Sequence, residues 1–176
     1  MKKLLLLTSV LAWISGVSAE EKPKLIVGVV ISHFYPEWMD MYGNELSENG
    51  LKRVMKQGTR VNVNYNYFYT QTGVDHASIY TGMLPTEHGI VSRAWYDRLR
   101  RKRQYSTQSD RYTEIGDQQA DSIKSLSPDY LQTMSLGSAM KWNNPMSRVF
   151  SVAMNGDEAV LSGGSSADMA IWFSEK

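Results

Sequence analysis

The run Leu25-Ile26-Val27-Gly28-Val29-Val30-Ile31 constrains this chain more than any other segment. It is continuous, β-branched and uncharged, which suits a strand covered on both faces at the centre of a parallel sheet. Parallel strands need crossover connections, usually helical, so the remaining chain is expected to alternate strands with helices.

The residues that follow keep this rhythm. Pro36 to Gln57 reads as helical, with Ser47 a candidate N-cap, Leu51, Val54 and Met55 on one face, and Gly58 as the stop. Thr59 to Tyr69 alternates, with Val61, Val63, Tyr65, Tyr67 and Tyr69 opposite Asn62, Asn64, Asn66 and Phe68, and predicts a second strand. Thr72 to Thr81 predicts a short helix with Thr72 as N-cap, Asp75 at N3 and Gly82 at its end. Ala94 to Asp97 and Gln104 to Thr107 are expected to pair as a hairpin around a charged stretch. Leu131 to Trp142 reads as a helix stopped by Asn143, Asn144 and Pro145. Arg148 to Met154 reads as a strand, Asp157 to Leu161 as one helical turn, Ser162 to Ser166 as a small-residue turn, and Met169 to Phe173 as a last strand. The order predicts an α/β fold: a mostly parallel central sheet with flanking helices, plus a small β-hairpin.

The first residues carry an address. Lys2 and Lys3 form a positive region, Leu4 to Ile14 is apolar, and Val17-Ser18-Ala19 has the small-x-small pattern of a cleavage site, so residues 1–19 read as a signal peptide. The apolar stretch is shorter than the roughly 20 residues of a spanning helix, so no integral membrane segment is expected once the leader is removed. The expected product is exported, periplasmic or secreted. The chain has 19 basic and 18 acidic residues, and Lys2 and Lys3 leave with the leader, so global charge predicts no nucleic-acid partner. With no cysteine, disulfides, thiolate catalysis and thiolate metal sites are excluded, leaving His, Asp, Glu and hydroxyl oxygen as metal ligands.

The strand-to-helix junction Tyr69-Thr70-Gln71-Thr72-Gly73-Val74-Asp75-His76 is the strongest local candidate for chemistry. A helix N-terminus presents unpaired N–H groups and partial positive charge to an anion, and a hydroxyl held there could attack one. The same residues also fit an ordinary Thr-x-x-Asp capping box, and the local pattern leaves both open.

A resemblance bears on that choice. Pro23 to Val30, the segment Thr72-Gly73-Val74-Asp75-His76-Ala77-Ser78-Ile79-Tyr80-Thr81-Gly82, the turn Pro85-Thr86-Glu87-His88-Gly89-Ile90, and Trp95-Tyr96-Asp97 follow one another at the spacing of a known family. They resemble the N-terminal portion of bacterial alkaline phosphatases of the nucleotide pyrophosphatase/phosphodiesterase-like branch, most of all the threonine-nucleophile, phosphate-irrepressible group. The resemblance implies that residues 20–176 are the N-terminal portion of an alkaline-phosphatase-like α/β sandwich. It also implies metal-dependent phosphoester hydrolysis with two zinc ions and a phosphate ester or phosphate-like anion as partner.

By that resemblance Thr72 matches the nucleophile, itself a metal ligand, and Gly73 lies beside it on the substrate side. Other positions depart from the pattern. Ser32 stands where the family has a metal-binding aspartate, and His33 beside it is a candidate substitute ligand. Arg93 stands at a phosphate-contacting asparagine, and arginine can also hold phosphate. Asn155 and Asp157 stand at a lysine and an arginine that read the monoester, and Asp157 would repel a dianion. The departures make an incomplete or inactive enzyme one reading, and a non-catalytic anion- or partner-binding relative the alternative. His76 and His88 read as structural histidines near the site. Arg98-Leu99-Arg100-Arg101-Lys102-Arg103 reads as a solvated turn, with lipopolysaccharide or another polyanion as the competing use. The tyrosine row from Tyr65 to Tyr69 reads as a face packed into the core.

Overall fold

The structure, a computed structural model, describes residues 23–109, 111–112, 115 and 125–173, so the signal-peptide expectation for residues 1–19 lies outside the described residues. The chain divides into two compact units, residues 1–61 and 62–176.

In the first unit, residues 25–31 form neither helix nor strand and join no ladder among the described residues, and Leu25, Val27 and Val29 are largely exposed. The expected first strand is therefore not formed: an apolar run becomes a strand only through a hydrogen-bonded neighbour, which its own sequence cannot supply. A turn follows at Ser32 and His33, where His33 takes a left-handed φ of 56°. The single helix expected over Pro36 to Gln57 is two short ones, α1 (Glu37–Tyr42) and α2 (Leu51–Gln57). Ser47 is not the cap. Gly50 holds that position, its N–H donating to the Ser47 carbonyl at 3.2 Å. Before α2, the Glu48 carboxylate accepts from Lys52 at 2.6 Å and Lys56 at 2.8 Å, and these bonds draw its pKa down to about 2.

The second unit holds the core. Tyr67 belongs to no ladder either, so the predicted strand over residues 59–69 is also absent. The tyrosine row divides: Tyr67 packs against the core, while Tyr65 and Tyr69 are exposed. The helix α3 (Thr72–Thr81) runs over the predicted residues. It ends at Gly82, whose φ of +68° is open to glycine and strained for other residues, with its N–H donating to the Ser78 carbonyl at 2.9 Å. A single turn, α4 (Pro85–His88), follows.

Strands β1 (Ala94–Asp97) and β2 (Lys102–Tyr105) form the expected hairpin in antiparallel register, Asp97 opposite Lys102 and Ala94 opposite Tyr105. The second strand lies two residues earlier than the predicted Gln104 to Thr107. Asp97 sets the turn length by accepting the Leu99 N–H at 2.9 Å and the Arg100 N–H at 3.0 Å, which closes the turn early. Helix α5 (Leu136–Asn143) starts later than predicted because Ser135 caps it, accepting the Ser138 N–H, while Leu131 packs on the core from a preceding turn.

Strand β3 (Phe150–Ala153), helix α6 (Gly156–Gly163) and strand β4 (Met169–Trp172) make one βαβ unit with a parallel ladder, Phe150 opposite Met169 and Ala153 opposite Trp172. The predicted single turn at Asp157 to Leu161 is thus a longer helix. Beyond it Gly164 takes φ +73°, and a Cβ there would stand 2.1 Å from the Ser135 hydroxyl, so this close approach of α6 to α5 requires glycine. Val74, Ala77, Ile90, Val160 and Leu161 form the buried centre where α3 meets α6, covered by Tyr67, Leu126, Tyr130, Leu131, Ala170 and Trp172. The fold class is α/β as expected, with its sheets small.

Candidate functional site

The α3–α6 contact positions the candidate residues. Thr72 is the first helical residue and is exposed. It is not the N-cap: Gln71 holds that place with extended backbone, and makes no side-chain bond to the first-turn amides. Asp75 accordingly lies one residue beyond N3, and its carboxylate accepts the Tyr67 hydroxyl at 3.0 Å instead of closing a capping box. Burial, the largest influence on Tyr67, raises its pKa above the usual phenol value. Among the described residues no hydrogen bond reaches the Thr72 hydroxyl. Its carbonyl accepts from His76 Nδ1 at 2.7 Å, and the His76 ring stacks on Tyr80, so His76 braces the first turn. Gly73 is buried, and a Cβ on it would lie 3.3 Å from Leu161 Cδ1, which places Gly73 at the helix contact.

Arg93 is tied to this end of the helix. The Gln71 carboxamide oxygen accepts the Arg93 backbone N–H at 2.7 Å and the Ser92 hydroxyl at 3.2 Å. The Arg93 guanidinium lies 3.4 Å from Asp157 Oδ2. Asp157 also accepts the hydroxyl of buried Thr107. Asn155 is engaged as the N-cap of α6: its side-chain oxygen accepts the Glu158 N–H at 3.2 Å and its amide donates to the Glu158 carboxylate at 2.8 Å. Asp157 and Glu158 place negative charge in the first turn, which stabilises the positive end of the helix dipole.

His88 lies under the opposite end of α3, fully buried. Its Nδ1 accepts the Ile90 N–H at 3.1 Å, which leaves Nε2–H to donate to the Ser78 hydroxyl at 2.9 Å. Burial lowers its pKa, so it is a neutral structural histidine.

The structure thus gathers Thr72, Gly73, Arg93, Asn155 and Asp157 in the second unit around the facing ends of α3 and α6. Ser32 and His33 are exposed and lie in the first unit. The metal candidates are then two hydroxyls and one imidazole, whereas zinc takes imidazole, thiolate and carboxylate. Among the described residues no group of three or more His, Cys, Asp or Glu converges to hold an ion, and these residues do not fit two zinc ions. Two positioning residues were not legible in the sequence. Gln71 sat beside Thr72 without a distinguishing pattern, and Thr107 meets Asp157 only through the fold.

Comparison with known proteins shows what the chain is similar to. The family model for type I phosphodiesterase/nucleotide pyrophosphatase matches residues 26–172. The alkaline phosphatase PafA of Elizabethkingia meningoseptica is 31% identical over 163 residues, covering 90% of this chain and 29% of that protein. The alkaline phosphatase PhoK of a Sphingomonas species is 32% identical over 155 residues, covering 88% of this chain and 27% of that one. A crystal structure of a PafA variant, in which a threonine, an asparagine, a lysine and an arginine are substituted, superposes with a TM-score of 0.78 at 28% identity. It covers 89% of this chain and 31% of that one. The chain therefore spans less than a third of the length of these relatives. The match along nearly the whole sequence, on the same α/β architecture, means that this chain belongs to the type I phosphodiesterase/nucleotide pyrophosphatase family of the alkaline phosphatase superfamily.

Proposed function

We propose that this chain carries the nucleophile-bearing portion of an exported phosphoester hydrolase, with Thr72 as nucleophile, and that as this polypeptide it does not turn over phosphate monoesters. The Arg93–Asp157 ion pair carries the second half of the reading: the cation that could meet a phosphoryl oxygen faces a carboxylate of the same fold. Asn155 is likewise committed to capping a helix. The spacing of the four substituted positions in the PafA variant supports the first half, because Thr72, Arg93, Asn155 and Asp157 recur at the same intervals along this chain. In the family two zinc ions supply the activation of the nucleophile and the charge stabilisation. The residues described here do not fit such a pair, and no zinc-dependent step is assigned to them. Export rests on the Lys2 to Ala19 pattern.

The alternative, an anion-binding relative without turnover, draws on one observation: the first-turn amides of α3 are left without a side-chain cap beside exposed Arg93.

The test is p-nitrophenyl phosphate turnover together with calorimetric binding of inorganic phosphate on the full chain. The reading expects no turnover in the unsubstituted protein and tighter phosphate binding when Asn155→Lys and Asp157→Arg are combined. Turnover by the unsubstituted protein would overturn the inactive reading, and its survival in Thr72→Ala would remove the nucleophile assignment as well. An unchanged phosphate affinity in the double variant would remove the role given to the ion pair.

A further inference from the structure

The turn of the β1–β2 hairpin concentrates charge that the site does not use. Arg98, Arg100, Arg101, Lys102 and Arg103 are all exposed, and the one carboxylate in this turn is Asp97. Asp97 is committed: it accepts two turn amides and stands 3.7 Å from Arg100 Nε. Arg100 also donates to the Tyr130 hydroxyl at 3.3 Å, and Arg103 lies over the Tyr105 ring at 5.1 Å. The side chains of Arg98 and Arg101 make no hydrogen bond or ion pair among the described residues, and Lys102, opposite Asp97 in the ladder, feels that carboxylate only through space.

Leu99 stands in the middle of this charge, 97% exposed, and Tyr96 on the adjoining strand is 63% exposed. The tip is fixed in shape, since Asp97 pins the amides and Arg101 holds a left-handed φ of 52°, a conformation that costs a non-glycine residue about 1 kcal/mol or more. We propose that this hairpin docks on an anionic phospholipid surface, the cations against headgroup phosphates and Leu99 among the acyl chains just below them. A soluble polyanion would satisfy the arginines and leave Leu99 and Tyr96 in water, whereas a bilayer interface accommodates cation, leucine and tyrosine together. A turn already held in shape loses little conformational entropy on docking.

The absence of cysteine makes the test specific to the hairpin tip. Leu99→Cys in the full chain is labelled with a polarity-sensitive dye and mixed with vesicles of phosphatidylcholine alone or with added phosphatidylglycerol. The expected result is a blue shift and rise in emission on the anionic vesicles only, reversed by high salt. Replacing Arg98, Arg101 and Lys102 by Gln should weaken the apparent affinity about a hundredfold. In an unlabelled chain Leu99→Asp, which leaves every arginine in place, should reduce vesicle retention. An unchanged dye spectrum, an equal change on neutral vesicles, or a response that survives the triple substitution overturns the proposal. Retention on heparin with the dye still in water also overturns it, assigning the charge run to soluble polyanions.

Discussion

The Arg93 guanidinium and the Asp157 carboxylate, far apart in sequence, lie 3.4 Å from each other across the α3–α6 contact, and Asp157 is further held by the Thr107 hydroxyl. The pair neutralises the cation whose backbone Gln71 ties to the start of α3. Arg93 is largely solvent-exposed, so the attraction itself is worth no more than about 1 kcal/mol.

Asp157→Asn removes the charge while keeping a group that the Thr107 hydroxyl can still meet. Inorganic phosphate should then bind up to about fivefold more tightly, the equivalent of about 1 kcal/mol. Isothermal calorimetry at low salt would show this, and no gain would mean that Arg93 is turned away from an incoming anion by something other than Asp157.

Asn155→Ala should destabilise the second unit by about 1 kcal/mol, the usual cost of losing an N-cap side chain. Asn155→Asp, which keeps an acceptor for the Glu158 N–H, should recover most of that loss. Urea denaturation of both variants separates a capping role from one in binding anions, since only the former depends on the acceptor.

His88 makes stability depend on pH in a defined direction. Its folded-state pKa is lowered, chiefly by burial, so the unfolded chain takes up this proton before the folded one does. Stability from this group is complete above about pH 6.5 and falls as the pH drops through that value toward the folded-state one. Unfolding midpoints at about pH 7.5 and about pH 5.5 should differ accordingly. His88→Gln should lower the midpoint at both and flatten the difference between them.

Asp168 governs a different range. Its carboxylate accepts from Lys141 at 2.7 Å, the Val149 N–H at 2.7 Å and Arg148 at 2.9 Å, and these bonds hold its pKa well below the usual carboxylate value. The contribution is therefore present above about pH 4 and is lost only as the solution becomes strongly acidic. Asp168→Asn should lower the thermal midpoint at neutral pH and make the remaining stability less steeply dependent on acid.

What the sequence made legible was local. The end of α3 could be read from Gly82, the hairpin from its two short runs, and β3 and β4 from their apolar residues, because each of these signals lies within a few residues of its effect. The run at residues 25–31 and the alternation before Tyr69 misled because ladder partners are not written in the strand itself. Thr72 was found but its cap was misplaced by one residue, since Thr and Gln at adjacent positions both tolerate the extended cap conformation. The resemblance put Arg93 and Asp157 at phosphate-contacting positions, but their direct ion pair was not legible: β1, β2, α5 and β3 intervene in the chain between the two residues, and the packing of α6 on α3 brings them together.

The Gln71 carboxamide bears on how fast and how tightly this end of α3 could respond to an anion. One oxygen fixes both Ser92 and Arg93 to the residue before Thr72, so the loop carrying the cation is tied to this helix end by the fold's own hydrogen bonds. An anion arriving there would meet groups whose spacing was set during folding, and the ordering entropy that a loose loop would surrender at that moment is not part of the binding step. Gln71→Ala would return that entropy to the encounter, leaving the charges unaltered and the geometry no longer held in advance.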